Sequence, residues 1–198
     1  MFHKVIHGFL GAGINAQLLE YAMSCKQSFQ QSTVGATGRY DPAIRESCLL
    51  SDLGPFKEII EQRVLALVPV LIEQLGLSHF TASGVETQIA AHGEGGFFGR
   101  HIDLFTGQDR KNADRLISLV YYFYKEPKAF TGGVLRLYPG IASAPDEPTM
   151  DILPAQDMAV AFSSWMPHEV MQVSCPSGDF DDFRFAINCW VLRAKNVK

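Results

Sequence analysis

His101 and Asp103 stand two positions apart in Phe98-Gly99-Arg100-His101-Ile102-Asp103, and a second imidazole, His168, follows far downstream in Pro167-His168-Glu169-Val170. In a β-strand alternate side chains share a face, so His101 and Asp103 would point the same way. That sets a nitrogen donor beside an oxygen donor. With His168 they make two imidazoles and one carboxylate on one face of an ion, with the opposite positions open. Such a set suits a redox-active divalent ion, Fe(II) first, that binds small molecules at its open positions. A His-x-Asp pair alone arises often by chance, so the surrounding chain has to supply the rest of the argument.

The elements that would position these residues change character along the chain. Residues 5–10 read as an edge strand that ends in a turn at Gly11-Ala12-Gly13. A helix is expected over 15–26, with Asn15 as its cap. Residues 27–42 are polar and read as a loop, and 45–50 as a strand. A second helix should run from about Pro55 to Leu75, kinked or divided at Pro69 and stopped at Gly76. Beyond Gly76 the pattern turns to strands: 85–91, 97–103, 116–124, 133–138, 158–162, 168–173 and 183–192. Residues 141–154, with Pro145, Pro148 and Pro154, read as a surface loop. Two helices followed by many strands predict an α+β protein with a double-sheet β core. A single domain over 1–198 is expected, helical over 1–78 and β over 79–198.

Composition narrows the function classes. The chain is 47% hydrophobic and 19% charged, ordinary values for a globular protein, and its net charge is −4. An acidic balance gives no reason to expect a nucleic-acid partner. No apolar run is long enough to span a bilayer, and the first residues lack a signal-peptide pattern. Cys25, Cys48, Cys175 and Cys189 form no close pairs, which suits free thiols in a reducing compartment. The expected location is cytoplasmic.

Further residues fall at meaningful places among the strands. Gly132-Gly133 precedes a strand and permits a tight turn or a close backbone approach. Arg184 begins a predominantly apolar segment that ends in Trp190. Its guanidinium can grip a carboxylate with paired hydrogen bonds, or it can lie in water or pair with Asp181 or Asp182. Of the adjacent Tyr121 and Tyr122, alternation lets only one face the core.

Taken in order, His-x-Asp, a tyrosine strand, a Gly-Gly strand, a distal His-x-Val, and Arg with Trp six residues on, the chain resembles the Fe(II)/2-oxoglutarate-dependent dioxygenases of prolyl 4-hydroxylase type. The resemblance covers 85–191, and Arg45-Glu46-Ser47 upstream is similar to the Arg-x-Ser strand start of the same group. It implies a double-stranded β-helix, a jelly-roll core with the N-terminal helices packed outside. It implies His101, Asp103 and His168 as iron ligands and Arg184 as the cation for the distal carboxylate of 2-oxoglutarate. Tyr122 would join that carboxylate, and Trp190 would stand behind the metal. The implied reaction hydroxylates an unactivated C–H bond, most readily of a prolyl or other protein side chain. Dioxygen is consumed and succinate and CO2 are released. Ascorbate would serve as reductant.

Departures from the family pattern concern the substrate side. Phe98 stands where many relatives carry tyrosine, and Ala91 where several prolyl hydroxylases do. The turn between His168 and Arg184 is longer than in the nearest prolyl hydroxylases. His92, in His92-Gly93-Glu94-Gly95-Gly96, reads as part of a glycine-rich turn beside the site opening, not as a second metal site. Arg100 should point away from the metal. The loops over 27–42 and 106–114 would shape the entrance. Two alternatives stay open: a hydroxylase of a free amino acid or small metabolite, and a metal-binding or sensing module of the same fold without turnover.

Overall fold

Alternation within a few long strands decides the architecture, as a computed structural model shows for residues 3–34, 38–104, 113–141 and 147–195. In chain order the elements are β1 (His3–His7), α1 (Ala12–Ser24), β2 (Gln30–Gln31), β3 (Arg45–Glu46), β4 (Cys48–Leu50), α2 (Phe56–Gln74), β5 (Gly84–His92), β6 (Phe97–His101) and β7 (Ala113–Phe123). There follow β8 (Thr131–Gly132), β9 (Leu135–Leu137), β10 (Met150–Ile152), β11 (Met158–Ser163), β12 (His168–Val170), β13 (Val173–Ser174) and β14 (Arg184–Ala194). A seven-stranded major sheet has the order β1-β11-β7-β14-β5-β4-β2, and a five-stranded minor sheet the order β10-β9-β12-β6-β3. Strands β13 and β8 form a separate ribbon. The pairings of both sheets are antiparallel. This is the jelly-roll core expected from the sequence.

The major sheet is covered on both faces. Ile117, Leu119, Tyr121 and Phe123 of β7 face the helices and join a core with Leu18 and Ala22 of α1 and Ile60, Val64, Val68 and Leu71 of α2. Val120 and Tyr122 face the minor sheet and pack with Leu135, Leu137, Val160 and Phe162. Both tyrosines are therefore fully buried, on opposite sides. The one-sided expectation fails because a sheet with helices on one face and a second sheet on the other has two interiors.

Several element boundaries differ from those read in the sequence. The strand expected at 45–50 divides at Ser47: β3 pairs in the minor sheet and β4 in the major one. The strand expected at 168–173 likewise becomes β12 and β13. The loop expected at 27–42 begins with a 3-10 turn, Lys26–Ser28, and then β2, and its residues 35–37 lie outside the described residues. The surface loop expected at 141–154 contains β10, which adds an edge strand against β9. Of the entrance loop expected at 106–114, residues 106–112 lie outside the described residues, and Ala113 and Asp114 already belong to β7. Helix α2 runs unbroken through Pro69. Pro69 has no N–H to donate to the Leu65 carbonyl, and both residues lie on the exposed side of the helix, where a missing backbone bond costs least. Among the described residues, no helix is long and apolar enough to cross a membrane.

Asn15 does not cap α1, which starts after Gly11. The cap comes from across the sheet. Asp157 accepts from the backbone N–H of Leu10 at 2.8 Å and of Gly11 at 2.9 Å. Tyr121 donates to the same carboxylate at 3.0 Å, and Asn15 Nδ2 donates to the Tyr121 hydroxyl at 2.6 Å. Asp157 holds this position with φ 54°, a conformation unusual for a residue with a side chain. Charge-assisted bonds to a helix N-terminus are strong, so Asp157→Ala is expected to cost about 2 kcal/mol. That corresponds to a fall of about 4–8 °C in the melting temperature, measurable by calorimetry.

Candidate active site

His101 ends β6, His168 begins β12, and the two are direct cross-strand partners in the minor sheet. Their rings lie 4.2 Å apart between centroids. Strand β6 stops at His101, so Asp103 reaches the site from the turn beyond it, where its N–H donates to the Ser164 carbonyl at 2.9 Å. The Asp103 oxygens stand 3.6 Å from His101 Nε2 and 3.5 Å from His168 Nε2. One donor atom from each of the three residues can be chosen so that all lie within 4.8 Å of one another. Among the described residues this is the only such cluster of potential metal ligands.

The protein also sets which ring nitrogen faces inward. His101 Nδ1 is 2.8 Å from the Gly99 carbonyl, and His168 Nδ1 is 2.9 Å from the Met166 carbonyl. A carbonyl can only accept, so each Nδ1 carries the proton and each Nε2 presents a lone pair. Burial pushes the His168 imidazole down to about 4, against the opposing pull of Asp103, so it is neutral near pH 7. Burial alone would raise the Asp103 carboxyl, but the two imidazoles and the Ser118 hydroxyl hold it below the usual carboxylate range. Ser118 donates to Asp103 at 2.6 Å and lies 3.0 Å from the Ser164 hydroxyl. Two inward-facing imidazole nitrogens and one carboxylate oxygen, already oriented, are a donor set for Fe(II). Ser118→Ala is expected to weaken metal binding about 10-fold, read by titration of the apoprotein with Fe(II) or Mn(II).

The opposite wall belongs to the major sheet. Arg184 begins β14 and is 1% exposed. Its Nε donates to the Gly133 carbonyl at 2.9 Å, and its guanidinium lies 4.9 Å from the centre of the Tyr122 ring. No carboxylate among the described residues pairs with it; Asp182 pairs with Lys125 instead. Gly133 explains how so large a group fits. A Cβ there would come within 2.8 Å of Arg184 Nε and overlap its Cδ, and the backbone has φ 62°. Burial lowers the Arg184 guanidinium and raises the Tyr122 phenol. Two buried atoms here have no partner, Arg184 Nη2 and the Tyr122 hydroxyl. A buried guanidinium with its Nη2 unpartnered, beside an unpartnered hydroxyl, fits an anionic group bound between them.

Alternation along β14 puts Asn188 and Trp190 on the same face as Arg184, and all three line the cavity. Trp190 carries the Arg115 guanidinium 3.9 Å from its ring centre on one side. Arg45, buried on β3, stacks 4.4 Å from the Phe98 ring, and Phe98 in turn stacks 3.6 Å from the His101 ring. Arg100 points away from the metal ligands. It lies over Tyr138 and donates to the carbonyls of Gly140 and Ile141.

Two expectations need correction. Ala91 leaves no gap in the cavity, because it faces the helix-side core opposite Phe185. His92 is not part of a turn at the opening. It is the last residue of β5, 3% exposed, and lines the cavity between Arg184 and Arg45. Ser118, Ser164 and Asn188 went unread in the sequence. Counting by twos from Tyr122 back to Ser118, and from Arg184 on to Asn188, would have found two of them.

The sequence profile of the 2OG-Fe(II) oxygenase superfamily matches residues 87–192. An uncharacterized PKHD-type hydroxylase of Synechocystis sp. is 34% identical over 200 residues. That alignment covers 96% of this chain and 63% of the relative, so the chain spans less than two thirds of the relative's length. Among solved structures, a Trichoplax adhaerens prolyl hydroxylase in complex with a hypoxia inducible factor peptide is similar with a TM-score of 0.69 and 24% identity, over 96% of this chain and 83% of that one. A Pseudomonas putida prolyl-4-hydroxylase is similar with a TM-score of 0.66 and 22% identity, over 98% and 93%. Those structures share the fold, and the profile match covers more than half of the chain, including the described metal-ligand cluster and Arg184. The chain belongs to the 2OG-Fe(II) oxygenase superfamily.

Proposed function

We propose that this chain is an Fe(II)- and 2-oxoglutarate-dependent hydroxylase of a protein side chain, proline first. His101, Asp103 and His168 hold the metal. Arg184 and the Tyr122 hydroxyl bind the far carboxylate of 2-oxoglutarate, and Trp190 closes the wall behind. The bound metal, with 2-oxoglutarate and dioxygen, supplies the oxidant. One oxygen atom goes into the C–H bond and the other into succinate, and CO2 leaves. The protein's own part is ligation, orientation and the exclusion of water from a buried cationic wall. Ascorbate keeps the metal reduced between turnovers.

The observation that supports a polypeptide substrate is the ground beside His101. An open groove lined by Thr33, Val34, Arg39, Ile44, Phe98 and Ile102 adjoins that ligand. The groove is wide and open, whereas the cavity behind the ligands is narrow and more enclosed. The cavity suits a small acid, and the groove suits a chain laid across the surface. Exposed Ile44, with Val34, Phe98 and Ile102, gives the groove an apolar contact surface.

The test is product analysis under labelled dioxygen. The Fe(II)-loaded protein is given 2-oxoglutarate, ascorbate and either proline-containing peptides or a panel of free amino acids. Labelled oxygen in a peptide, with succinate formed in equal amount, is the expected result. Label appearing only in a free amino acid would replace the peptide reading. No succinate in either arm would leave a binding module.

A further inference from the structure

Beyond the two groups already assigned to it, the cavity holds a third unpartnered polar atom, Nε2 of His92. Its chemistry is fixed by its neighbour. His92 and Arg184 are direct cross-strand partners of β5 and β14. Arg184 Nη1 lies 3.4 Å from His92 Nδ1. A guanidinium can only donate, so Nδ1 accepts, and the proton of the neutral imidazole must sit on Nε2. Burial first, then the charges of Arg184 and Arg45, hold His92 well below its ordinary range and keep it neutral. The result is an N–H donor, buried in a cationic cavity with nothing to accept from it.

An orphaned buried donor is costly unless a ligand completes it. The only acceptor-rich species that this reading brings into the cavity is the 2-oxo diacid. We infer that His92 is a recognition residue for 2-oxoglutarate, donating from Nε2–H to a carboxylate oxygen, while its Nδ1 steadies Arg184. The inference rests on the co-substrate reading above. His92 also serves a second purpose that a simple aliphatic could not. It lets Arg184 spend one N–H on a neutral acceptor, so that the guanidinium keeps its full charge for the ligand.

The experiment measures co-substrate binding without turnover. Protein loaded with Mn(II) or Zn(II) is titrated with 2-oxoglutarate by calorimetry, as wild type, His92→Phe and His92→Gln. A hydrogen bond to a charged group predicts that His92→Phe weakens 2-oxoglutarate about 10- to 100-fold, with metal affinity unchanged. His92→Gln, which still offers an N–H, should stay within about 3-fold of wild type. In the wild type, nitrogen NMR should show a protonated Nε2 and an unprotonated Nδ1, with the Nε2–H resonance moving on addition of 2-oxoglutarate. Equal affinity of His92→Phe and wild type, or an Nε2–H resonance that ignores the ligand, overturns the role of His92. A wild type that binds metal but no 2-oxoglutarate overturns the co-substrate reading itself, and with it this inference.

Discussion

Asp103→Ala is expected to abolish turnover, by about 1000-fold or more, while leaving the protein folded. Of the three residues proposed to hold the metal, Asp103 alone is an anion, so it would offset one of the two charges of Fe(II), and its oxygens already stand 3.5–3.6 Å from both imidazole Nε2 atoms. Losing it removes several kcal/mol of metal stabilisation, and each 1.4 kcal/mol is a factor of ten. The fold should survive, because Asp103 lies in a turn outside the hydrophobic clusters. Metal titration and circular dichroism together check this. A variant that keeps full metal affinity would show that the carboxylate is not a ligand. One that unfolds would show that it is chiefly structural.

Arg184→Met should produce a different signature. Metal binding should persist, and the affinity for 2-oxoglutarate should fall about 100-fold, the cost of removing one partner of a buried charged pair. The cleanest reading is thermal. Ligand that binds only the folded state raises stability by RT ln(1 + [L]/Kd), about 2.7 kcal/mol at one hundred times Kd. The wild type loaded with Mn(II) should therefore melt several degrees higher with saturating 2-oxoglutarate, and Arg184→Met should show almost no shift at the same concentration. Without ligand the variant should be no less stable than wild type, since it removes a buried cation that has no carboxylate partner. A variant that loses stability and keeps its ligand shift would place Arg184 in the framework instead of the binding site.

The cluster of His101, Asp103 and His168 was legible in the sequence because the proposed chemistry needs particular side chains at a particular spacing. The helices and long strands were legible because their periodicity is strong. Other features depended on tertiary context. The division at Ser47 leaves no local signal, since a chain crossing from one sheet to another can stay extended throughout, and which sheet each half joins is set by its partners β6 and β5. The cap on α1 comes from Asp157, which is 146 positions from Gly11. Tyr121 and Tyr122 could be told apart only once helices were known to cover one face and the minor sheet the other. His92 was misread because its glycine-rich sequel looks like a turn, although β5 extends one residue further and carries it inside.

The two-sided burial of the major sheet constrains how this chain can change in length. Along β14 the even-numbered positions face the minor sheet, with 184, 188 and 190 lining the cavity and 186 packed between the sheets, and the odd ones, Phe185, Ile187, Cys189 and Val191, serve the helix-side core. Substitutions at either set act on one compartment at a time. A single inserted or deleted residue in the middle of this strand would exchange the two sets beyond it, turning Trp190 toward the helices and an aliphatic toward the metal. Variation in this strand is therefore expected by replacement alone, and length changes should collect in its flanking turns, such as the one that ends at Phe183.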